Sequence, residues 1–468
     1  MKKITRYSHV AVISLILLFA AMSCDNLLET EPTVRVSADV VVTTASGMDA
    51  ILTSAYDRLR DENLYRYLIP AAPEVLADNS ELHPVNSGRF RGQAENQPGS
   101  HFSTSTWAVA YRLINEANII IARVEETETT QPHKNRLKGE ALFLRGIAYQ
   151  ELLRIYSYEP NHPKINEWNQ GVIMRTTPVL GLSDADLRGR GTVLEGYQQV
   201  EKDYLEALPL LETNNRGSVH YADAATVHAG LARLYLYWGK WSEALTHAQQ
   251  AFTKARGSLQ DYSAAGNIFE QLPNPESIFE LSFDLPHGSS GSLNAVTHPP
   301  PGWFDALPSK ELLALYDEAD LRNNLFAVHS DGYPYILKYT GAVAQNTDHI
   351  PVFRVAEMLL IQAEAHYELG NQGEAIAALE TLRTHRGLAA YENPPSGVAL
   401  LEEIYDERRR ELAFEGHRWF DLKRRGMDVP KPAAGGNPTI QYDDFRILAD
   451  LSTTQVENNP LLDQNPGY

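Results

Sequence analysis

Two stretches of the chain repeat one helical grammar 131 residues apart. In the first, Val227, Leu231, Leu234 and Trp238 recur three and four residues apart. Gly239 interrupts, and Trp241, Ala244, Ala248, Phe252 and Ala255 resume the spacing. In the second, Ala363, Gly370, Glu374 and Ala375 stand where the first has Ala232, Gly239, Glu243 and Ala244. Apolar residues at that spacing line one face of a helix. Small residues beside them let two antiparallel helices approach closely, and glycine permits the tight reversal between them. The alternative, two unrelated hairpins in a bundle, leaves the matched Ala, Gly and Glu-Ala positions unexplained. The separation of the copies argues against a simple contiguous array.

Each unit looks like a tetratricopeptide repeat, a helix-turn-helix of about 34 residues. Further helical patterning predicts a mainly α scaffold. It starts near Gly47, with Met48, Ile51, Leu52, Ala55 and Leu59 on one face. It continues through Trp107, Tyr111, Ile114, Asn118 and Ile121, then Leu137, Ala141, Leu144, Ala148, Leu152 and Ile155, and then Tyr197 to Leu211. Leu401 to Arg425 is expected as one long charged helix. Between these runs the pattern fails twice, over Pro70–Thr106 and roughly Gly257–Asn346, where Gly, Pro, Asn, Ser and aromatic residues concentrate. Within the second region, 277–283 alternates like a short strand. Irregular stretches this long in a compact protein are usually functional or disordered. The expected division is 48–256 for an N-terminal helical region and 257–468 for a C-terminal region with ligand-binding loops.

The start of the chain predicts export. Lys2, Lys3 and Arg6 precede the apolar run Val10–Met22, which is too short to span a bilayer and reads as a secretion signal. Ala21-Met22-Ser23-Cys24 resembles a bacterial lipobox, with cleavage after residue 23 and lipid on Cys24, the one cysteine of the chain. The alternative, an ordinary signal with a chance cysteine, leaves a free thiol in an oxidising compartment. Residues 24–47 then read as a lipidated tether. Several acyl chains anchor stably, each buried CH₂ contributing about 0.8 kcal/mol. The formal charge of −19 becomes more negative once the signal cations are removed, which disfavours nucleic acid as a partner.

Catalytic motifs are missing: the sequence has no His-Glu-x-x-His, Gly-x-Ser-x-Gly or Gly-x-Gly-x-x-Gly. The histidines show no ligand spacing, so neither a metal nor a cofactor is expected. Glu407, Glu411 and Glu415 fall four residues apart, with Arg408 one turn from Glu411 and Arg418 one turn from Glu415. Neighbouring guanidiniums favour ion pairing over acid–base chemistry for these carboxylates.

Glu407–Arg424 also resembles the signature helix of the SusD/RagB family of Bacteroidetes outer-membrane nutrient-binding lipoproteins. Arg354–Ala365, Lys138–Tyr156 and the closing Gln464-Asn465-Pro466-Gly467-Tyr468 agree with it. One departure is Ile447–Asp450, where relatives often carry a proline. The resemblance implies a SusD-like fold of tetratricopeptide-like hairpins with a loop-rich ligand-binding lobe. It also implies a non-enzymatic protein on the outer face of the outer membrane. There it would partner a SusC-like TonB-dependent transporter and deliver oligosaccharide or, in some relatives, peptide. A surface glycoside hydrolase and a pure protein scaffold are the competing readings.

Glycan binding calls for aromatic faces and polar side chains on rigid loops. The first irregular region offers Arg89, Phe90, Arg91, Asn96 and His101, with Asn79, Asn86 and Phe102 nearby. The second offers Asn294, His298, Trp303, Phe304, Tyr333 and Tyr335. Trp303 leads because it follows the stiff Pro299-Pro300-Pro301-Gly302; the alternative is a core tryptophan pinning its loop. Trp107, Trp238, Trp241 and Trp419 fall at core spacing.

Overall fold

The computed structural model describes residues 42–102, 104–181, 186–283, 292–342 and 344–468. Cys24, the signal and most of the tether lie outside the described residues. The main helices are α1 (Ala45–Leu59), α2 (Leu68–Val75), α3 (Thr104–Arg123), α4 (Gln131–Tyr156), α5 (Val193–Leu211), α6 (Ala224–Trp238) and α7 (Trp241–Lys254). They continue as α8 (Val355–Glu368), α9 (Gln372–His385), α10 (Val398–Glu411) and α11 (Arg418–Arg424). Among the described residues, no helix is long and apolar enough to cross a membrane.

The helices pack serially, α1 on α3, α3 on α4, and so on through α5, α6 and α7. The two repeats, α6–α7 and α8–α9, are neighbours because α7 packs directly on α8. Residues 255–354 leave the stack and return to it, so the array is contiguous in space although interrupted in sequence. Ala232, Ala244, Ala363 and Ala375 are buried where the hairpins close. Gly239 (φ 70°) and Gly370 (φ 81°) take the left-handed conformation that ends α6 and follows α8. Asp223 caps α6 by accepting from the Thr226 N–H, and Thr192 with Glu195 forms a capping box on α5.

Helix α4 is buried almost all round from Leu137 onward. A Cβ on its Gly146 would come 2.6 Å from the Tyr204 ring, and one on Gly230 of α6 would come 2.9 Å from that same ring. Glycine on both sides is what lets one tyrosine sit between three helices. Several polar groups brought inside are paired: Arg145 with Asp203 at 2.6 Å, Tyr204 Oη with Gln150 at 2.7 Å, and Tyr65 Oη with Glu151 at 2.9 Å.

Among the described residues, six short strands pair antiparallel in twos: β1 (Ser80–Leu82) with β3 (Ala306–Pro308), β2 (Ser277–Leu281) with β6 (Ile350–Arg354), and β4 (Phe326–Val328) with β5 (Pro334–Ile336). β2 forms where alternation predicts a strand, yet all five of its residues are buried. With β6 it packs on α6 and closes the base of the 255–354 excursion.

Two expectations are corrected. The stretch from Pro70 is not irregular throughout, because α2 runs from Leu68 to Val75 with every residue buried. The 401–425 region is not one helix. It breaks between α10 and α11, with Phe414 (φ 62°) and Gly416 (φ 82°) in the left-handed region. A Cβ at Gly416 would lie 2.4 Å from the Ile69 carbonyl oxygen. The break lets the buried Glu74 carboxylate of α2 accept from the Gly416 and His417 N–H groups, both at 3.1 Å, at the start of α11.

The ion pairs also differ from those that helical spacing suggests. Glu411 receives Arg386 at 2.9 Å, Arg354 at 3.1 Å and Arg322 at 3.2 Å, while Glu415 receives Lys338 at 2.6 Å and Arg354 at 2.8 Å. Arg408 turns instead to Asp421, and Arg418 to Asp78. Burial alone would raise the Glu411 carboxyl. The guanidiniums of Arg386, Arg354 and Arg322 hold it well below the usual carboxylate range.

Candidate functional site

Strand pairing joins the two irregular regions. β1 lies on β3 with Ser80 opposite Pro308 and Leu82 opposite Ala306, which sets the loop after β1 against the loop before β3. Asp305 holds that arrangement. Its buried Oδ1 accepts from the Ser87 N–H and the Asn86 amide, both at 2.9 Å, and Oδ2 accepts from Ser87 Oγ at 2.9 Å. Arg89 Nη1 stands 3.7 Å from the same carboxylate.

Arg89 then covers one face of Trp303, its guanidinium carbon 3.7 Å from the ring centroid. Tyr67 meets Trp303 edge-on at 6.0 Å and Phe90 at 6.4 Å. A second run of rings follows from Tyr333 to His83 (4.7 Å), His83 to Phe304 (4.7 Å), Phe304 to Tyr335 (6.2 Å) and Tyr335 to His298 (5.1 Å). Such contacts fix ring orientation beyond what burial alone supplies.

His83 accepts the Val85 N–H at Nδ1, so its proton sits on Nε2, which faces Asp331 Oδ2 at 3.2 Å. Asp331 also lies 3.0 Å from His329 Nδ1. Desolvation pushes its carboxyl up, but the Tyr333 N–H and the two imidazoles hold it below the usual range.

Beside these rings opens a cleft of about 810 Å³. His83, Asn86 and Arg91 line one wall, Tyr333 and Lys310 flank it, and Pro432 and Asn437 close the far side. Behind that far wall, Lys431 donates to the Leu76 carbonyl at 2.6 Å and the Gln93 carbonyl at 3.0 Å. Burial and nearby Arg446 push its ammonium down to about 7.

The sequence candidates thus fall into separate places. Arg91 and Tyr333 line the cleft. Trp303 and Arg89 form the stacked pair, with Phe90 buried behind Tyr67. Phe304, Tyr335 and His298 continue the second run. Asn294 is buried and donates to the Tyr339 carbonyl at 2.8 Å. Asn96 is buried, and His101 lies within ring contact of Trp419 and Tyr468, with its imidazole pushed down to about 4 by burial. Trp107, Trp238 and Trp419 are buried as their spacing predicts.

Sequence reasoning missed Tyr67, His83, Asp305, Asp331 and Lys310. Asp305 directly follows Trp303-Phe304, and that was the available signal. Nothing in the chain links Asn437 to His83, which meet only through the returning tail.

Two family profiles match: the SusD family over residues 328–468, and "Starch-binding associating with outer membrane" over 26–236. The chain belongs to the SusD/RagB family. SusD-like protein P2 of Formosa agariphila is 25% identical over 514 aligned residues, covering 97% of this chain and 98% of that one. The starch-binding protein SusD of Bacteroides thetaiotaomicron is 31% identical over 147 residues, 30% of this chain and 24% of that protein. A SusD superfamily structure from B. thetaiotaomicron superposes with TM-score 0.79 at 23% identity, covering 90% of this chain and all of the other. A putative sugar binding protein from Bacteroides vulgatus gives 0.77 at 24%, covering 91% and 99%. These confirm the helical SusD-like fold. Trp303, Phe304 and Asp305 fall in the interval 237–327, which neither SusD-related profile covers.

Proposed function

We propose that this protein is a lipid-anchored binding protein on the outer face of the outer membrane. It captures an oligosaccharide on the Trp303 ledge and the adjoining cleft, and passes it intact to a SusC-like TonB-dependent transporter. The observation that carries the reading is the Asp305-held loop. It brings half-open aromatic rings beside a cleft lined by amide, guanidinium, imidazole and ammonium groups and by the carboxylates of Glu81 and Glu95. Sugars offer C–H faces to rings and hydroxyls to such groups, so this pairing of surfaces suits them. The second matching family and the SusD relative are both named for starch binding, which supports the same ligand class.

Capture needs no bond cleavage. The carboxylates of the signature segment are each committed to cations and do not line the cleft. A tether on Cys24 would keep the binding face near its transporter, so transfer depends on effective concentration as well as affinity.

The test is calorimetric titration of the purified protein with a panel of neutral oligosaccharides. Trp303→Ala and Tyr333→Ala should each weaken the best ligand about tenfold, which corresponds to about 1.4 kcal/mol. Binding of peptides alone would move the cargo to the other ligand class, and release of reducing ends would make the protein a hydrolase. Unchanged affinity in both variants removes this site. Labelled lipid lost in Cys24→Ala, and co-purification with a TonB-dependent transporter, test the anchor and the partner.

A further inference from the structure

Away from the cleft, three side chains from separate segments meet where the β2–β6 pair joins the helical stack. Glu280 lies in β2, His349 immediately precedes β6, and His220 lies in the loop between α5 and α6. His349 Nδ1 is 2.7 Å from Glu280 Oε1, and His220 Nδ1 is 3.7 Å from the same oxygen. One ligand atom from each of the three residues lies within 4.8 Å of the others. The imidazole rings meet at right angles, their centroids 5.2 Å apart.

We propose that His220, Glu280 and His349 bind one divalent transition ion of the zinc type, which staples the α5–α6 loop to the β2–β6 pair. Two imidazole nitrogens and one carboxylate oxygen are a borderline donor set that suits Zn²⁺ and is unsuited to Ca²⁺ or Mg²⁺. Bonds of about 2.0–2.2 Å place tetrahedral donors about 3.3 Å apart. The observed 2.7 and 3.7 Å separations straddle that spacing, and one nitrogen of each imidazole lies within 4.8 Å of the other; binding an ion there turns His220 away from the Glu280 carbonyl oxygen, now 3.3 Å from its Nδ1.

The surroundings are already organised for it. Glu280 is fully buried, and its Oε2 accepts from Ser277 Oγ at 2.6 Å and the Asn274 N–H at 3.0 Å. Those bonds fix the carboxylate and turn Oε1 toward the histidines, as outer partners of metal ligands do. The Glu280 N–H donates to the Val219 carbonyl at 3.0 Å, which sets the residue before His220 in register with the strand. His349 and His220 are 13% and 27% exposed, so solvent reaches both rings, and water is the fourth ligand the proposed ion would take.

The experiment is calorimetric titration of untagged, chelator-stripped full-length protein with Zn²⁺, with thermal unfolding read alongside. One-to-one binding is expected, with a Tm that climbs as free Zn²⁺ exceeds Kd. His220→Gln and His349→Asn should each weaken binding at least about tenfold, and the double variant should lose the inflection. The competing site is the His228–His247 pair, whose Nδ1 atoms are 2.8 Å apart, so His247→Ala should bind Zn²⁺ as the parent does. No Zn²⁺ binding by the parent, binding that survives the double variant, or binding that disappears in His247→Ala would each overturn the assignment. In those cases His349–Glu280 is a hydrogen bond and nothing more.

Discussion

Around Glu411, three guanidiniums converge on one carboxylate inside the helical half, and all four groups are buried. Around Asp305, one buried carboxylate gathers a surface loop and leaves rings and polar groups half open. Both are buried acids with several donors, and their consequences differ. The first consumes every charge it assembles, so it joins β6, α9 and α10 but offers nothing to a ligand. The second spends its charge on backbone and short side chains, which frees the larger side chains to face outward. Charge density in a sequence motif therefore marked the junction, and aromatic residues in loops marked the surface proposed to take a ligand.

The largest effect that would test this contrast is at the junction. Glu411→Ala leaves Arg354, Arg386 and Arg322 underpaired in the interior and should cost about 3–5 kcal/mol of unfolding free energy in urea, with oligosaccharide affinity of the folded fraction unchanged. A cost under about 1 kcal/mol would mean that the junction is not what ties these elements together. Asp305→Ala should cost less, about 1–3 kcal/mol, yet weaken glycan binding while far-UV circular dichroism stays the same. Equal binding would show that the loop is held without its carboxylate.

Acid should distinguish the buried side next. The His101 imidazole titrates at about 4 in the fold, against about 6.5 unfolded. Between those values the unfolded chain binds the extra proton, so this contribution falls as pH drops from 6.5 toward 4 and is constant below. The stability of the parent relative to His101→Leu should therefore fall by about 1.6 kcal/mol between pH 6.5 and 5, and a pH-independent difference would refute neutral burial. The smallest effect is Arg89→Ala. It removes an exposed cation over Trp303, worth about 0.5–1 kcal/mol, and should alter glycan affinity and Trp303 fluorescence with little change in urea midpoint.

Much of the scaffold could be read along the chain because helix formation and hairpin closure are local. Val227 to Ala255 and Ala363 to Ala375 carried the periodicity, the small contacts and the turn glycines within a few dozen residues. The α10–α11 break was hidden because its cause is distant: Glu74 supplies the acceptor and Ile69 the steric limit, more than 300 residues away. The partners of Glu411 and Glu415 were misassigned for the same reason. Intrahelical spacing proposes neighbours, but a buried carboxylate takes whichever cations the fold delivers.

At the candidate site, residue type was readable and position was not. Trp303, Tyr333 and Arg91 were named from composition and loop context. The same reasoning also named Asn294, Asn96 and His101, which the fold buries. Exposure of a loop side chain depends on what packs over it, and that information is absent from local sequence.

Spacing and residue chemistry along the chain are enough to specify a helical-hairpin protein with the SusD/RagB signature and two loop regions rich in rings and amides. Folding in three dimensions is what stacks the interrupted repeats, lets Asp305 hold the first loop to the second, and brings His220, Glu280 and His349 together. Each of those depends on contacts between segments far apart in the chain, which burial and hydrogen-bond satisfaction select only when the whole molecule folds.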